Sequence, residues 1–334
     1  MSVQSWLNRV WYERASPPWW LLPLSLSYGA AAGARRYLYS KQLRKSIRVA
    51  SPVVVVGNLS VGGTGKTPLV CWLVARLQEL GFKPGVVTRG YGGSSENVRL
   101  VDSAADPSIV GDESLLLARR TGVPVAIGRD RPSAAQLLVR AGCDVVVSDD
   151  GLQHYALARD CEIVVVDGER RFGNGWLLPA GPLRESEARL RRVDAVVVNG
   201  GRAQLEGALS MRLEAKDALS LIGGAIKTLR EFAGHSVHAV AGIGNPERFF
   251  NMLRGYGIEV VGHPFPDHAR LQAADISFPD GRPVLMTEKD AVKCAGFAGA
   301  QHWYVPVTVN FEGGESKLLL DIVTRAMTLR TARA

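Results

Sequence analysis

The stretch Val53-Val-Val-Val-Gly-Asn-Leu-Ser-Val-Gly-Gly-Thr-Gly-Lys-Thr-Pro68 joins a run of four valines to a glycine-rich segment. Four β-branched residues in succession are typical of a strand that is buried on both faces. A helical pattern follows from Pro68 to Leu80 and closes on Gly81, the residue type expected just past a helix end. The stretch therefore predicts a strand, a glycine-rich loop and a helix, in the order that a phosphate-binding loop requires.

The composition of this loop predicts a nucleotide site. Glycines let backbone N–H groups turn towards phosphate oxygens, and the new helix adds its positive N-terminal end. Lys66 is the expected partner of the β- and γ-phosphates, and the Thr67 hydroxyl is the expected ligand of Mg²⁺. One position departs from the spacing G-x-x-x-x-G-K-[ST], because Ser60 stands where the first glycine is usual. The residues predicted to bind ATP are Ser60, Val61, Gly62, Gly63, Thr64, Gly65, Lys66 and Thr67.

Similar loops occur in GTPases, motors and partitioning ATPases, so the loop specifies a nucleotide and not a reaction. Partitioning ATPases carry a lysine directly before the double glycine, where this chain has Val61. The sequence also contains no Asn-Lys-x-Asp motif of the kind that recognises guanine. The first observation disfavours a partitioning ATPase, and the second disfavours a GTPase.

Short apolar runs alternate with helical patterns along the chain, which predicts an α/β fold with a P-loop NTPase-like, doubly wound α/β/α core. A second α/β set follows after a weakly patterned stretch at 210–230. We expect an N-terminal membrane-associated helical segment at 1–45, the core at 46–215, and a smaller C-terminal α/β domain with its linker at 216–334. The predicted strands are Val53 to Val56, Gly85 to Thr88, Val123 to Ile127, Asp144 to Val147, Ile163 to Val166, Ala195 to Val198, Val237 to Ala241, Val284 to Met286 and Trp303 to Val309.

The overall composition indicates a folded protein with anionic partners. The 334 residues are 46% hydrophobic and carry a net charge of +8, which suits phosphates, acidic lipid head groups or nucleic acid. Nucleic acid is disfavoured because the basic residues cluster near the N-terminal segment without an aromatic-basic strand motif. The four cysteines form no Cys-x-x-Cys pair, so we interpret them as reduced core residues.

The N-terminal segment has the composition of a membrane contact. Residues 17–34 contain no charged residue, and four of the seven tryptophans lie in the first twenty positions. Six basic residues follow between Arg35 and Arg48, which suits an anionic cytoplasmic leaflet. Because serines, glycines and prolines interrupt the apolar run, three alternatives stay open: a helix that spans the bilayer, a segment that lies on it, and a helical hairpin packed on the protein.

Acidic residues at the ends of strands and helices are candidates for metal binding. Asp149 and Asp150 directly follow a predicted strand, where an enzyme with a phosphate-binding loop positions its magnesium. Asp112 precedes an apolar helix and on sequence alone is typical of a helix N-cap. His268 lies in a proline-rich loop, and such a lone histidine is more often a surface or capping residue than a catalytic one.

Taken together, these motifs resemble the tetraacyldisaccharide 4′-kinase family over nearly the whole chain. Two family positions differ: Ser114 replaces a usual proline and Leu152 a common phenylalanine. The matching motifs are Val56 to Pro68, Arg89-Gly-Tyr-Gly-Gly93, Gly111-Asp-Glu113, Asp149-Asp-Gly-Leu-Gln-His154, Gly173-Asn-Gly175, Pro179-Ala-Gly-Pro-Leu-Arg-Glu185, Ala241-Gly-Ile-Gly-Asn-Pro246, Phe265-Pro-Asp-His268 and Thr287-Glu-Lys-Asp290.

The resemblance implies transfer of a phosphoryl group from ATP, with Mg²⁺, to the 4′-hydroxyl of a tetraacylated glucosamine disaccharide 1-phosphate. It places this step of lipid A synthesis at the cytoplasmic face of the bacterial inner membrane, with a lipid substrate and no obligate protein partner. It makes Asp112 and His268 the catalytic pair alongside Lys66. It further implies magnesium or substrate contacts from Thr67, Asp149, Asp150 and Glu113, and cleft positions for Arg89, Tyr91, Gln153, His154, Arg184 and Glu185.

Two other functions fit the loop and the charge. One is another P-loop small-molecule kinase or an ATP-dependent synthetase, which the apolar N-terminus disfavours. The other is a nucleotide-switched protein attached to the membrane, which would hydrolyse ATP without an acceptor.

Overall fold

The computed structural model describes residues 3–13, 16–201 and 205–331. Residues 1–2 and 14–15 of the predicted N-terminal segment, 202–204 of the predicted core and 332–334 of the predicted C-terminal domain lie outside the described residues. The strands are β1 (Val53–Gly57), β2 (Pro84–Thr88), β3 (Arg99–Leu100), β4 (Val125–Ile127), β5 (Val145–Asp149), β6 (Cys161–Asp167), β7 (Ala195–Asn199), β8 (Leu209–Glu214), β9 (Asp217–Ser220), β10 (Ile226–Thr228), β11 (Ser236–Ala241), β12 (Glu259–Pro264), β13 (Val284–Thr287), β14 (His302–Val305) and β15 (Thr308–Phe311). The α-helices are α1 (Val3–Tyr12), α2 (Leu22–Ser40), α3 (Lys66–Glu79), α4 (Pro107–Val110), α5 (Asp112–Thr121), α6 (Arg131–Arg140), α7 (Pro246–Gly255), α8 (Ala273–Ile276), α9 (Glu288–Cys294) and α10 (Glu315–Thr331).

The larger sheet has the strand order β15-β8-β7-β6-β1-β5-β2-β4-β3. Strands β8, β7, β6, β1, β5, β2 and β4 pair in parallel, and β15 and β3 add antiparallel edges. Strand β1 lies in the middle of this sheet, between β5 and β6. The carboxyl ends of parallel strands meet at one edge, so the segments that follow β1, β5 and β7 gather there.

The valine run of β1 fills cores on both faces of the sheet. Val54 and Val56 pack with apolar side chains of α3, α5 and α10, whereas Val53 and Val55 pack with those of α6. This alternation follows from the two-residue period of a strand. The doubly wound α/β/α core predicted from the sequence is confirmed, and the four cysteines are buried free thiols.

A second, six-stranded sheet has the order β10-β9-β14-β13-β11-β12. Its central strands are parallel, and helix α7 covers one face with Phe249, Phe250 and Leu253. Ile276 and Cys294 of the short helices α8 and α9 pack on the other face. We call residues 217–305 the second lobe, and residues 46–214 with 308–331 the core lobe.

The chain returns to the core lobe near its C-terminus. The run from Trp303 to Val309, predicted as one strand, forms two strands: β14 in the second sheet and β15 paired antiparallel with β8 in the first. Helix α10 then buries Leu319, Val323 and Met327 in the core-lobe cluster. Residues 308–331 therefore pack with the core, whereas the sequence pattern grouped them with residues 216–307.

The N-terminal helices pack on the core lobe. Val10, Trp11 and Leu21 form an apolar cluster with Ala180, and the Trp11 indole donates to the Pro179 carbonyl at 2.9 Å. Within the described ranges no helix is long and apolar enough to cross a membrane. The packing of Val10, Trp11 and Leu21 is the contact that the hairpin alternative predicts.

The placement of α10 predicts unequal effects at two adjacent leucines. Leu319 is fully buried, whereas Leu318 is 51% exposed. Leu319→Ala is expected to cost about 2–5 kcal/mol, because it leaves a cavity in the core lobe. Leu318→Ala is expected to change stability by less than about 0.5 kcal/mol. Urea unfolding of both variants measures the difference, and equal midpoints would contradict the placement of α10.

Candidate active site

The glycine-rich stretch forms the turn between β1 and α3. Gly62 and Gly65 have φ angles of 110° and 94°, a region in which residues with a Cβ are strained. The Asn58 side-chain amide donates to the Thr64 hydroxyl at 3.3 Å and to the Gly62 carbonyl at 3.4 Å. Lys66 is the first residue of α3. The structure thus places the loop at the carboxyl end of the central strand, where backbone N–H groups can face an anion.

Gly65 is pressed against Asn199 at the end of β7. A Cβ on Gly65 would lie 2.4 Å from Asn199 Nδ2, closer than atoms can approach. The same Nδ2 donates to the Thr64 carbonyl at 3.0 Å, and the Asn199 side chain is fully buried. Asn199 therefore supports the loop from a position that the sequence motifs did not indicate.

Asp150 follows β5 and faces the loop. Its carboxylate lies 3.7 Å from Lys66 Nζ and 3.0 Å from Arg184 Nη1. Burial would raise the pKa of Asp150, but the nearby Lys66 and Arg184 hold that pKa well below its usual range. Asp150 is consequently an anion across the physiological pH range.

The environment of Asp149 shifts its pKa in the opposite direction. Its side chain is buried, and Oδ1 has no hydrogen-bond partner. Burial, reinforced by the negative charge of Glu113, raises the pKa of Asp149 to about 7. The buried Arg131 donates to the Asp149 backbone carbonyl at 3.1 Å rather than to its carboxylate. Oδ1 of Asp149 is therefore an acceptor that no hydrogen-bond donor among the described residues contacts.

The donor set around these aspartates suits Mg²⁺. The Oδ1 atoms of Asp149 and Asp150 both lack a hydrogen-bond donor, and Thr67 is the second residue of α3, directly after Lys66, whose Nζ lies 3.7 Å from Asp150. No group of three or more His, Cys, Asp or Glu side chains among the described residues could hold a metal ion by itself. Mg²⁺ normally uses only one or two carboxylates and completes its shell with waters and substrate phosphates. The residues therefore fit magnesium that arrives with a nucleotide.

Arg184 joins the loop to the predicted cleft residues. It donates to Asp150 and Gln153 through Nη1, and to the Asn58 side chain through Nη2 at 2.6 Å. Gln153 in turn donates to Glu185 at 3.1 Å. The predicted residues Gln153, Arg184 and Glu185 thus form one network with the base of the phosphate loop.

His154 and Arg89 lie at the margin of this network. Burial, together with the charge of Arg131, lowers the pKa of His154 to about 3, and Arg89 contributes in the same direction. His154 is therefore a neutral ring at physiological pH. Arg89 is exposed, which leaves its guanidinium available to an anionic ligand.

A second group of predicted residues surrounds His268. His268 Nδ1 lies 3.2 Å from Asp112 Oδ1, so a contact joins the second lobe to the core lobe. The Tyr91 ring packs edge-on against the imidazole, with centroids 4.6 Å apart. Asp112 is the first residue of α5, and the N-cap position belongs to Gly111. The N-cap interpretation of Asp112 is therefore wrong, because its carboxylate accepts from the adjacent Glu113 N–H and faces the histidine.

Burial and charge act in opposite directions on this pair. Burial lowers the pKa of His268, but the Asp112 hydrogen bond outweighs it, so the pKa stays above its ordinary value. Burial would raise the pKa of Asp112, but the contact with His268 and the charge of Lys289 lower it. A carboxylate paired with an imidazole is the arrangement that a general base requires.

Lys289 is the residue of this group that the sequence analysis missed. Its ammonium lies 2.9 Å from Glu113 and Asp267, and 3.2 Å from His268 Nε2. The motif from Thr287 to Asp290 contains Lys289, but nothing in the sequence separated its role from that of its neighbours. Glu113, predicted as a magnesium residue, is an ion-pair partner of Lys289 in this structure.

The N-terminal helices reach the same region. Tyr28 donates to the Arg184 carbonyl at 3.3 Å, and Arg36 lies 3.8 Å from Glu185. The Tyr39 and Tyr155 rings are 5.9 Å apart, and the Tyr155 hydroxyl donates to Glu185 at 2.7 Å. The apolar segment is therefore fixed beside the cleft residues.

A family model described as "LpxK: Tetraacyldisaccharide-1-P 4'-kinase" matches residues 17–325, which include every predicted site residue. The chain belongs to the LpxK family. A protein named tetraacyldisaccharide 4'-kinase from Alkalilimnicola ehrlichii is 54% identical over 328 residues, which cover 97% of this chain and 98% of that protein. One of the same name from Aromatoleum aromaticum is 50% identical over 323 residues, covering 94% of this chain and 96% of that one.

A solved structure supports the same assignment of the fold. The crystal structure of LpxK from Aquifex aeolicus in complex with ATP matches with a TM-score of 0.76 and 28% identity. The match covers 92% of this chain and 98% of the Aquifex protein. The LpxK fold, including its second lobe, is therefore present here.

The two adjacent aspartates predict opposite effects of pH on stability. A carboxyl with a raised folded-state pKa costs stability once the pH exceeds its unfolded value, so the cost of Asp149 grows between pH 3.8 and about 7. Asp149→Asn is expected to melt at a higher temperature than the parent chain at pH 8, and this advantage should shrink towards pH 4. The measurement is thermal unfolding without nucleotide or divalent cations.

Asp150→Asn is the matched control for this experiment. Because the folded-state pKa of Asp150 is lowered, its carboxylate stabilises the fold above the unfolded value and loses that effect in acid. Asp150→Asn should therefore melt below the parent chain at pH 8. Shifts of the same sign for both variants would contradict the two environments.

Proposed function

We propose that this chain is a tetraacyldisaccharide 4′-kinase that transfers the γ-phosphoryl group of ATP to the 4′-hydroxyl of a tetraacylated glucosamine disaccharide 1-phosphate in lipid A synthesis. Membership of the LpxK family supports the substrate and the reaction. The observation that carries the mechanism is the contact between Asp112 and His268, which brings a base from the second lobe to the core lobe. That base and the phosphate loop lie on different lobes.

Of the two imidazole nitrogens, Nε2 is the one that does not face Asp112, and in this structure it lies 3.2 Å from the Lys289 ammonium, which the acceptor hydroxyl would displace. Nδ1 faces the Asp112 carboxylate, so Nε2 is the atom that takes the proton of the 4′-hydroxyl. As that O–H bond breaks, the oxygen bonds to the γ-phosphorus and the bond from γ-phosphorus to the ADP oxygen breaks. Asp112 orients the ring and stabilises its charged form. General-base assistance of this kind contributes about 10²- to 10⁴-fold.

The phosphate loop supplies position and charge. Lys66 would pair with the β- and γ-phosphates once ATP displaces the long contact with Asp150. Thr67, Asp149 and Asp150 would hold Mg²⁺, and Glu113 lies close enough to influence the charge of Asp149. When bound, magnesium neutralises charge on the phosphates, a contribution that normally exceeds that of the base.

The cleft residues suit an anionic sugar substrate. Arg89 is exposed, and Tyr91 is 56% exposed beside the histidine. Gln153, Arg184 and Glu185 lie beside the phosphate loop in one hydrogen-bonded network with Asp150, and His154 directly follows Gln153 in the chain. We assign the acceptor to this space. The core lobe and the second lobe would act as two domains that close over it and exclude water.

The N-terminal segment would lie on the cytoplasmic face of the inner membrane. Trp19 is 79% and Leu26 68% exposed, and Trp20 and Leu24 between them are exposed as well, so several large apolar side chains are exposed along one short segment. Indoles and basic residues together favour a membrane interface with anionic lipids. A membrane surface would then present the acylated substrate, with no obligate protein partner.

Incubation with MgATP and the acylated disaccharide 1-phosphate in detergent, followed by mass spectrometry, tests the function. The expected product is heavier by one phosphoryl group, and removal of Mg²⁺ should abolish it. A panel of soluble hydroxyl acceptors tests the alternative of a small-molecule kinase. Hydrolysis of ATP without phosphorylated lipid would favour the nucleotide-switched protein instead.

His268→Gln is expected to lower turnover by about 10²- to 10⁴-fold with little change in ATP affinity, because it removes the base and not the phosphate loop. The matched control is His235→Gln, which changes an exposed histidine of the same lobe and should leave turnover unchanged. Rates of product formation measure both. Unchanged turnover in His268→Gln would overturn the assignment of the base.

The membrane proposal predicts a loss of vesicle binding on removal of exposed apolar surface. Trp19→Ser combined with Leu26→Ser should weaken sedimentation with vesicles of zwitterionic and anionic lipid, while turnover in detergent stays near that of the parent chain. Ile226→Ser, on an equally exposed residue of the second lobe, is the control. Equal binding by all three proteins would contradict this membrane face.

A further inference from the structure

The two lobes meet at a contact that ends at the phosphate loop. We call this contact the seam; Arg248 and Gly244 form its second-lobe side, and Asp167, Asn199 and Gly200 its core-lobe side. Arg248, on the first turn of helix α7 in the second lobe, reaches the carboxyl ends of two core-lobe strands. Its Nη2 donates to the Asn199 side-chain oxygen at 3.2 Å and to the Asn199 carbonyl at 3.3 Å. Its Nη1 donates to the buried Asp167 at 3.4 Å. None of these residues belongs to the predicted catalytic, magnesium or substrate set.

The seam is closely packed, so its residue types are constrained. Gly200 has a φ of 64°, and a Cβ there would lie 2.7 Å from Arg248 Nη2. A Cβ on Gly244 would lie 3.0 Å from the Gly63 nitrogen, so a second-lobe loop sits directly against the phosphate loop. Arg170 donates to the Gly244 carbonyl at 2.9 Å and holds that loop in place. The lobes therefore meet at the backbone that is expected to bind phosphate.

The orientation of the Asn199 amide depends on Arg248. A guanidinium only donates and a carbonyl only accepts, so a single orientation of the amide satisfies both neighbours. With Oδ1 turned to Arg248, Nδ2 faces the Thr64 carbonyl and donates to it at 3.0 Å. If the arginine is withdrawn, Oδ1 loses the guanidinium donor, and the buried amide is held through its Nδ2 contact with the Thr64 carbonyl.

We propose that Arg248 is a positioning residue that couples docking of the second lobe to the shape of the phosphate loop through Asn199. The proposal rests on the proposed function in taking ATP as the ligand of that loop. Coupling between two equilibria is reciprocal. Docking of α7 therefore strengthens nucleotide binding, and nucleotide binding favours docking of the lobe that carries His268.

The test measures binding of magnesium and adenylyl-imidodiphosphate, a non-hydrolysable ATP analogue, by calorimetry. Arg248→Ala is expected to weaken binding about tenfold. Arg248→Lys should recover only part of the loss, since one ammonium cannot replace the two-armed contact with Asn199 and Asp167. Arg254→Ala is the matched control, because Arg254 lies on the same helix and contacts only exposed partners on that helix. It should bind like the parent chain.

A double-mutant cycle separates coupling from a purely structural effect. If Arg248 acts through Asn199, the variant that combines Arg248→Ala with Asn199→Ala should bind no more weakly than Asn199→Ala alone. Independent, additive losses would overturn the proposal. Should Asn199→Ala fail to fold, the comparison of the two single variants Arg248→Ala and Arg254→Ala tests the proposal. Equal affinities of these two variants for the analogue would overturn it.

Hydrogen exchange gives a second readout that lies outside the loop. The analogue should slow amide exchange at 242–255 in the parent chain but not in Arg248→Ala, and equal protection in both would count against the coupling. Neither measurement uses the lipid acceptor. A parent chain that binds the analogue but phosphorylates no lipid would therefore sink the proposed function alone, whereas a parent chain that binds no analogue would sink both.

Discussion

The turn at Gly65 is the constraint on which the site depends. Its left-handed backbone disfavours a side chain, and a Cβ there would lie 2.4 Å from Asn199 Nδ2, so glycine is required where the chain passes from β1 into α3. The turn is fixed because β1 is buried on both faces in the middle of the sheet and cannot shift in register. Each remaining part of the nucleotide site is then placed by a neighbouring strand that ends at the same edge.

Two consecutive aspartates show how this edge controls charge. Asp149 is the last residue of β5 and points into the protein, where burial raises its pKa. Asp150 has a positive φ of 49°, and this turn directs its carboxylate towards Lys66 and Arg184, whose charges lower its pKa. The change in backbone direction between the two residues thus gives identical side chains different pKa values. Asp150 stays an anion beside Lys66 and Arg184, whereas Asp149 loses its proton most readily when a cation binds next to it.

Local patterns in the sequence predicted the parts of this structure that depend on local interactions. The apolar runs predicted β1, β2, β4, β5, β6 and β7 but not the outer strands β3 and β8, and the Gly-Lys-Thr segment predicted the turn. The contacts of Asn199, Arg248 and Lys289 could not be predicted in this way, because their partners are distant in the sequence. Asn199 and Thr64 are separated by 135 residues, and Arg248 and Asn199 by 49. Lys289 and Glu113 are separated by 176 residues. The N-cap interpretation of Asp112 was wrong for the same reason, because its partner His268 is 156 residues distant and was indicated only by the family resemblance. Residues 308–331 rejoin the core through pairing with β8, which no periodicity reveals.

The two groups of site residues depend on different kinds of support. The phosphate loop rests on buried amides and on strands of the core lobe, whereas His268 has a φ of 60° and sits in a loop of the second lobe held by side-chain contacts to Asp112 and Lys289. In the proposed reaction, His268 would reach its place as a base only when the lobes meet, so an ATP molecule bound to the core lobe alone would face no positioned base. The same lobe contact that brings the base also brings Arg248 to Asn199. Proton acceptance and phosphate binding would then depend on the same contact between the lobes, which would limit transfer to water and reserve it for an acceptor held between them.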